Sequence, residues 1–234
     1  MGLSWYLSLS HLFSRRINFS LLPSHTRVTS EIQMLINKGR TQLNVHSIVV
    51  NALQQSRTKD AVGDSSGVIN RNRSSEFVKQ LAAEYNKFYE GDEAIRVLSS
   101  GNNSNRTEFG LNELLYDVTV CSVTNIESSK QGKQLTLVTQ TLWSVESELR
   151  RDSREAIYDF NKLVMSNADN KLFIGPLVDD IDSYISVLSK AAKYCEGSLY
   201  LALIPHPSTW NDTSIQPLVW SWIEAVWRPD IQGS

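Results

Sequence analysis

The apolar residues between positions 114 and 204 first follow the two-residue period of β-strands, then alternate between helical and strand spacing, and this order constrains the fold more than any other property of the chain. Residues 114–123 and 135–149 are rich in β-branched and aromatic side chains and read as two strands. Between them, Ser128, Ser129 and Gly132 mark a hairpin turn over residues 127–133. Beyond the second strand, Ala156, Ile157, Phe160, Leu163 and Val164 recur at steps that predict a helix. A buried strand follows at 171–174 and is broken by Pro176; Ile181, Ile185, Leu188 and Ala192 then describe a helix over 180–195. Residues 198–204 are nearly all apolar, as expected of a strand in the middle of a sheet. Strands joined first by a hairpin and then through helices imply an α/β domain, with a mixed central sheet flanked by helices.

The flanking segments are read in the same way. Residues 30–55 carry two short amphipathic helical patterns broken near Gly39, and the polar stretch 56–75 reads as a linker. Ser74 and Ser75 offer an N-cap to a long helix carrying Phe77, Leu81, Ala82, Tyr85, Phe88 and Tyr89 and ending near Gly91. A short apolar run at Ile95, Val97 and Leu98 follows, then a polar loop over 99–107; the tail, residues 216–227, is expected to be helical. The expected division is an N-terminal extension over 1–73 and an α/β domain over 74–234. With 234 residues, 41% of them apolar, the chain can bury one substantial core. No run of eighteen apolar residues suggests a membrane span, and the expected compartment is the cytoplasm. The first thirty residues contain no acid and include Arg15, Arg16 and Arg27, so an organellar presequence and an unstructured passenger both stay open for that segment.

A formal charge of −2 supplies no global field for nucleic acid, so any such contact has to be local. Cys121 and Cys195 have neither zinc-site spacing nor the number that a disulfide framework needs. The chain has no phosphate-cradling glycine loop, GxSxG elbow or HExxH pair, which argues against NTPase, serine hydrolase and zinc protease chemistry. Its most unusual polar residues are three carboxylates set in β-like apolar runs: Asp117 in the first strand, Glu146 and Glu148 at the end of the second. Side chains alternate along a strand, so Glu146 and Glu148 point the same way. Two like charges side by side are stabilised by a proton or by an oxygen-seeking cation such as Mg²⁺ or Mn²⁺. The plainer alternative is that both glutamates decorate the solvated face of an edge strand.

A helix, a meander with Asp on one strand and Glu-x-Glu at the end of the next, then a helix and a further strand together resemble the core of the PD-(D/E)xK nucleases, the restriction-endonuclease-like fold, over roughly residues 74–204. The stretch Ile157-Tyr158-Asp159-Phe160-Asn161-Lys162-Leu163 is similar to the helix that follows the motif in some uncharacterised bacterial members. The resemblance implies metal-assisted phosphodiester hydrolysis. Asp117 and Glu146 match the acidic metal ligands, while Glu148 stands where most of the family has lysine and would serve as a further metal ligand or a general base. Lys162 on the next helix would supply the displaced cation. The implied cofactor is Mg²⁺ or Mn²⁺ and the implied substrate is nucleic acid, DNA before RNA.

Arg150, Arg151 and Arg154 are candidate phosphate contacts, His206 is a loop residue after a buried strand, and Glu113 and Glu84 are candidate supporting acids. Trp210, Trp220, Trp222 and Trp227 suit core packing or a stacking platform. The rival to a nuclease is a non-catalytic interaction module of the same fold, using its tryptophan-rich tail or N-terminal helices to bind a protein partner or a second copy of itself.

Overall fold

In a computed structural model of the chain, seven strands lie side by side in one sheet in the order in which they occur along the sequence. The structure describes residues 43–101, 105–110, 113–128, 130 and 132–230. The helix expected before Gly39 and the presequence-like segment lie outside the described residues. The strands are β1 (Ile95–Ser99), β2 (Val118–Glu127), β3 (Gln134–Ser147), β4 (Asn170–Pro176), β5 (Ser198–Ile204), β6 (Leu218–Ile223) and β7 (Val226–Pro229). β1, β2 and β3 form an antiparallel meander, β3, β4 and β5 run parallel, and β6 and β7 are antiparallel additions. The sheet is therefore mixed, as the change from hairpin to helix connections predicts.

Helices cover both faces. On one face lie α1 (Val45–Arg57) and α2 (Ser66–Phe88); α3 (Asn105–Phe109) is a short helix after β1. On the other lie α4 (Ser153–Met165) and α5 (Ile181–Ala192). The alternation of strand side chains builds two cores. Val145, Leu172, Ile174, Ala202 and Ile204 join Leu53, Phe77, Leu81 and Tyr85 beneath α1 and α2. Phe173, Leu199, Leu201 and Leu203 join Phe160, Leu163, Tyr184 and Leu188 beneath α4 and α5. Phe160 and Phe173 meet with ring centroids 5.2 Å apart, an aromatic contact that contributes about 1 kcal/mol beyond its buried area.

Four elements differ from the sequence expectation, each for a local reason. The tail is a β-hairpin: Leu218, Val219, Trp220, Trp222 and Ile223 are β-formers, and Glu224 and Ala225 turn the chain with φ of 52° and 63°. Trp222 pairs with Trp227 across that hairpin, with centroids 4.9 Å apart. Helix α2 begins at Ser66, well before Ser74, because the Ser65 side chain accepts from the Val68 N–H and starts a turn that has no apolar stripe to announce it. Part of the polar segment expected as a loop after β1 forms α3, where Asn105 Nδ2 donates to the Val97 carbonyl at 2.7 Å. Finally, β2 starts at Val118 because its partner strand ends there, Ser99 being paired with Val118. Residues 114–117 therefore lie ahead of the strand, and the two-residue period that would align Glu113 with Asp117 does not extend to them.

Candidate functional site

The parallel strands β3, β4 and β5 end on the same side of the sheet, where open α/β sheets commonly bind ligands. Glu146 is the next-to-last residue of β3 and pairs with Phe173, so its side chain enters the layer beneath α4 and α5. Val118 pairs with Val145 at this end of the ladder, and Asp117, which precedes it, lies close enough to Glu146 for its charge to act on it. Asp117 is held there by Ser147, whose N–H and hydroxyl donate to its Oδ2 at 2.9 and 2.6 Å.

Helix α4, capped by Asp152, brings Lys162 to Glu146, and Lys162 Nζ donates to Glu146 Oε2 at 3.0 Å and lies 2.8 Å from Asp159 Oδ1. Asp159 is not singled out by the spacing of the apolar residues on this helix. It is three positions before Lys162, so the pair shares one helical face, and an i, i+3 Asp-Lys pattern was the available signal.

Burial and like charge dominate the electrostatics. Glu146 is 1% exposed and its Oε1 has no hydrogen-bond partner. Burial, then the Asp117 charge, pushes its pKa up to about 8 against the opposing pull of Lys162. Burial also raises Asp117, opposed by the two bonds from Ser147 and by Lys162. Burial would lower the Lys162 ammonium, but its bonds to Asp159 and Glu146 outweigh that effect and hold it above the ordinary lysine value. Asp117, Glu146 and Asp159 thus cluster about one lysine, and burial favours the protonated form of the first two.

Glu148 stands apart from this pair. It follows the end of β3, where the chain turns toward α4, and its Oε1 folds back to accept from the Arg150 N–H at 2.7 Å. Burial raises its pKa, Arg150 opposes the shift, and Asp159 and Glu155 add to it. Among the described residues no group of three or more His, Cys, Asp or Glu side chains is arranged to hold a metal ion. The expected trio of Asp117, Glu146 and Glu148 is therefore not drawn together as a ready coordination shell. Of the three, Asp117 and Glu146 are the two that lie together, and Glu146 Oε1 has no hydrogen-bond partner among the described residues.

Other candidates are placed as follows. Glu84 is buried on the opposite face, where Asn51 and Gln55 of α1 donate to its two oxygens at 3.0 and 2.8 Å. Arg150 pairs with Glu155 at 3.0 Å, and Arg154 lies near Asp152 and Glu155 at the start of α4. Trp210 is buried against Phe77, while Trp220, Trp222 and Trp227 of the terminal hairpin pack against the second core. Among the described residues no helix is long and apolar enough to cross a membrane. Comparison of the chain with family models, curated proteins and solved structures found no match to any of them.

Proposed function

We propose that the chain is a metal-dependent phosphodiesterase with a restriction-endonuclease-like core, acting on nucleic acid and on DNA in particular. The observation that carries this reading is that Asp117, just ahead of β2, is fixed by Ser147 at the end of β3 beside Glu146, with Lys162 of the next helix 3.0 Å from Glu146. The order α2, β1, α3, β2, β3, α4, β4 supports it, since apart from the short α3 it is the order that the family resemblance implies. Asp117 and Glu146 would hold Mg²⁺ or Mn²⁺, which when bound polarises a phosphate and acidifies a water molecule. Ser147 fixes Asp117, and Lys162 fixes one Glu146 oxygen while leaving the other to face the cation. Glu148, with its pKa raised, is the base nearest in sequence and would take the proton of the attacking water.

The test is cleavage of single-stranded and duplex DNA by the purified chain with Mg²⁺ or Mn²⁺. Glu146→Gln and Asp117→Asn are expected to reduce the rate by at least about 100-fold, in line with the loss of a major electrostatic contribution. Equal rates in Glu146→Gln and the parent protein would remove this site from the reaction. The incomplete carboxylate shell and the prior claim of Lys162 on Glu146 favour a second reading, a non-catalytic module of the same fold. That reading expects calorimetry to detect no Mg²⁺ or Mn²⁺ binding and no cleavage of either substrate.

A further inference from the structure

A cleft of about 330 Å³ opens between the first turns of α2 and the ends of β3 and β5. Ser147, the residue that holds Asp117, forms part of its wall, so the cleft begins one residue from Glu146. Arg71 of α2 and Arg150 after β3 line it together with His206 after β5. Three separate elements thus bring Arg71, Arg150 and His206 to one small space in a chain with a slight net negative charge, the Arg150 guanidinium also pairing with Glu155 at 3.0 Å.

Its wall is built from fixed parts. Arg73 of α2 donates to the Pro207 carbonyl at 2.6 Å, and the buried indole of Trp210 donates to the Pro205 carbonyl at 2.7 Å. The His206 carbonyl accepts from both the N–H and the hydroxyl of Thr209, at 2.8 and 2.9 Å. The His206 ring is oriented as well, because its Nδ1 accepts from the Ser208 N–H at 3.2 Å. An imidazole whose Nδ1 accepts keeps its remaining proton on Nε2, which becomes a neutral donor. Burial and the nearby Arg151 lower the His206 pKa, which favours that neutral form.

Arginine forks and a neutral N–H donor are the groups that recognise phosphate oxygens. Glu148 also lines the cleft and opposes an anion, but its carboxylate is turned onto the Arg150 N–H. The volume is near the lower end of small-molecule sites, so it suits one phosphate with its sugar. We propose that this cleft is a phosphate-binding subsite, formed by Arg71, Arg150 and His206, that holds a strand phosphate next to the one attacked. The proposal rests on the reading of Asp117 and Glu146 as the reaction centre.

The test measures binding of a short fluorescent single-stranded deoxyoligonucleotide to the full chain in chelator, where the metal-dependent reaction is stopped. Arg71→Gln and Arg150→Gln are each expected to weaken binding by about tenfold and to lower the salt slope by about one. Arg71→Lys, which keeps the charge and loses the fork, should fall between them and the parent protein. Arg71 is exposed, so its variants should melt with the parent protein. Inorganic phosphate and a deoxynucleoside monophosphate are run as competitors: displacement by either assigns the site to a terminal or free phosphate, and resistance assigns it to an internal strand phosphate. Unchanged affinity and salt slope in the double variant Arg71→Gln/Arg150→Gln would overturn the subsite. This outcome is separable from failure of the reaction-centre reading, which would show as no cleavage by the parent protein or as equal rates in Glu146→Gln, while leaving the effect of the arginines on binding intact.

Discussion

A carboxyl group as enclosed as that of Glu146 keeps its proton near neutral pH unless a cation takes the proton's place. Its folded pKa of about 8 lies above the ordinary glutamate value of 4.5, so between these values the folded chain holds a proton that the unfolded chain has released. Stability therefore falls as pH rises through that window, and Asp117 and Glu148 contribute with the same sign. Urea denaturation from pH 5 to pH 8 should show a decline on the order of 1 kcal/mol per pH unit, flattened in Glu146→Gln. Lys162→Met should be mild near pH 6, where Glu146 can protonate, and should cost about 2 kcal/mol at pH 9, where a buried charge is left alone. A cost independent of pH would contradict the coupling. Asp117 and Glu146 are legible in the sequence because a charge within an apolar strand pattern is conspicuous. The role of Asp159 is not, because an acid on an amphipathic helix resembles any solvated residue until the partner strand is in place.

The elements read correctly from sequence are those with a buried face, because burial imposes a period. β5 was expected at residues 198–204 and spans Ser198–Ile204, and the apolar pattern after residue 153 locates α4. The terminal hairpin was misread as a helix because Trp220 and Trp227 are seven residues apart, a helical interval, and because Glu224-Ala225 lacks the Asn-Gly signature of a two-residue turn. Both turn residues have positive φ, which disfavours any side chain with a Cβ. Ala225→Gly is therefore expected to stabilise the hairpin by about 1 kcal/mol, visible as slower amide exchange across Leu218–Ile223. Faster exchange would show that the turn geometry differs. The first turns of α2 were missed for the opposite reason: several of their residues are exposed on every side, so no period marks them and only the Ser65 cap does.

For the molecule as a whole, a cation at Asp117 and Glu146 would replace protons and relieve like-charge repulsion, so binding would add to folding stability by mass action. Mg²⁺ at about 100 times its Kd should add about 2.7 kcal/mol, raising the melting temperature more at pH 8 than at pH 6 because Glu146 must first lose its proton. Calorimetric scans of the parent protein and Glu146→Gln, with and without Mg²⁺, would check this, and an equal rise in both would place the cation elsewhere. The sheet has a further consequence for how the chain reaches this state. Since strand order across the sheet repeats strand order along the sequence, every strand docks beside the one made just before it. No strand has to wait for a later one to intervene, although the parallel pairs β3–β4 and β4–β5 each close over a helical crossover and are the slower steps. During synthesis, β1, β2 and β3 can pair as the chain emerges, placing Asp117 beside Glu146 before Lys162 arrives. Acidic repulsion therefore exists before its counter-charge does, and docking of α4 is the event that relieves it.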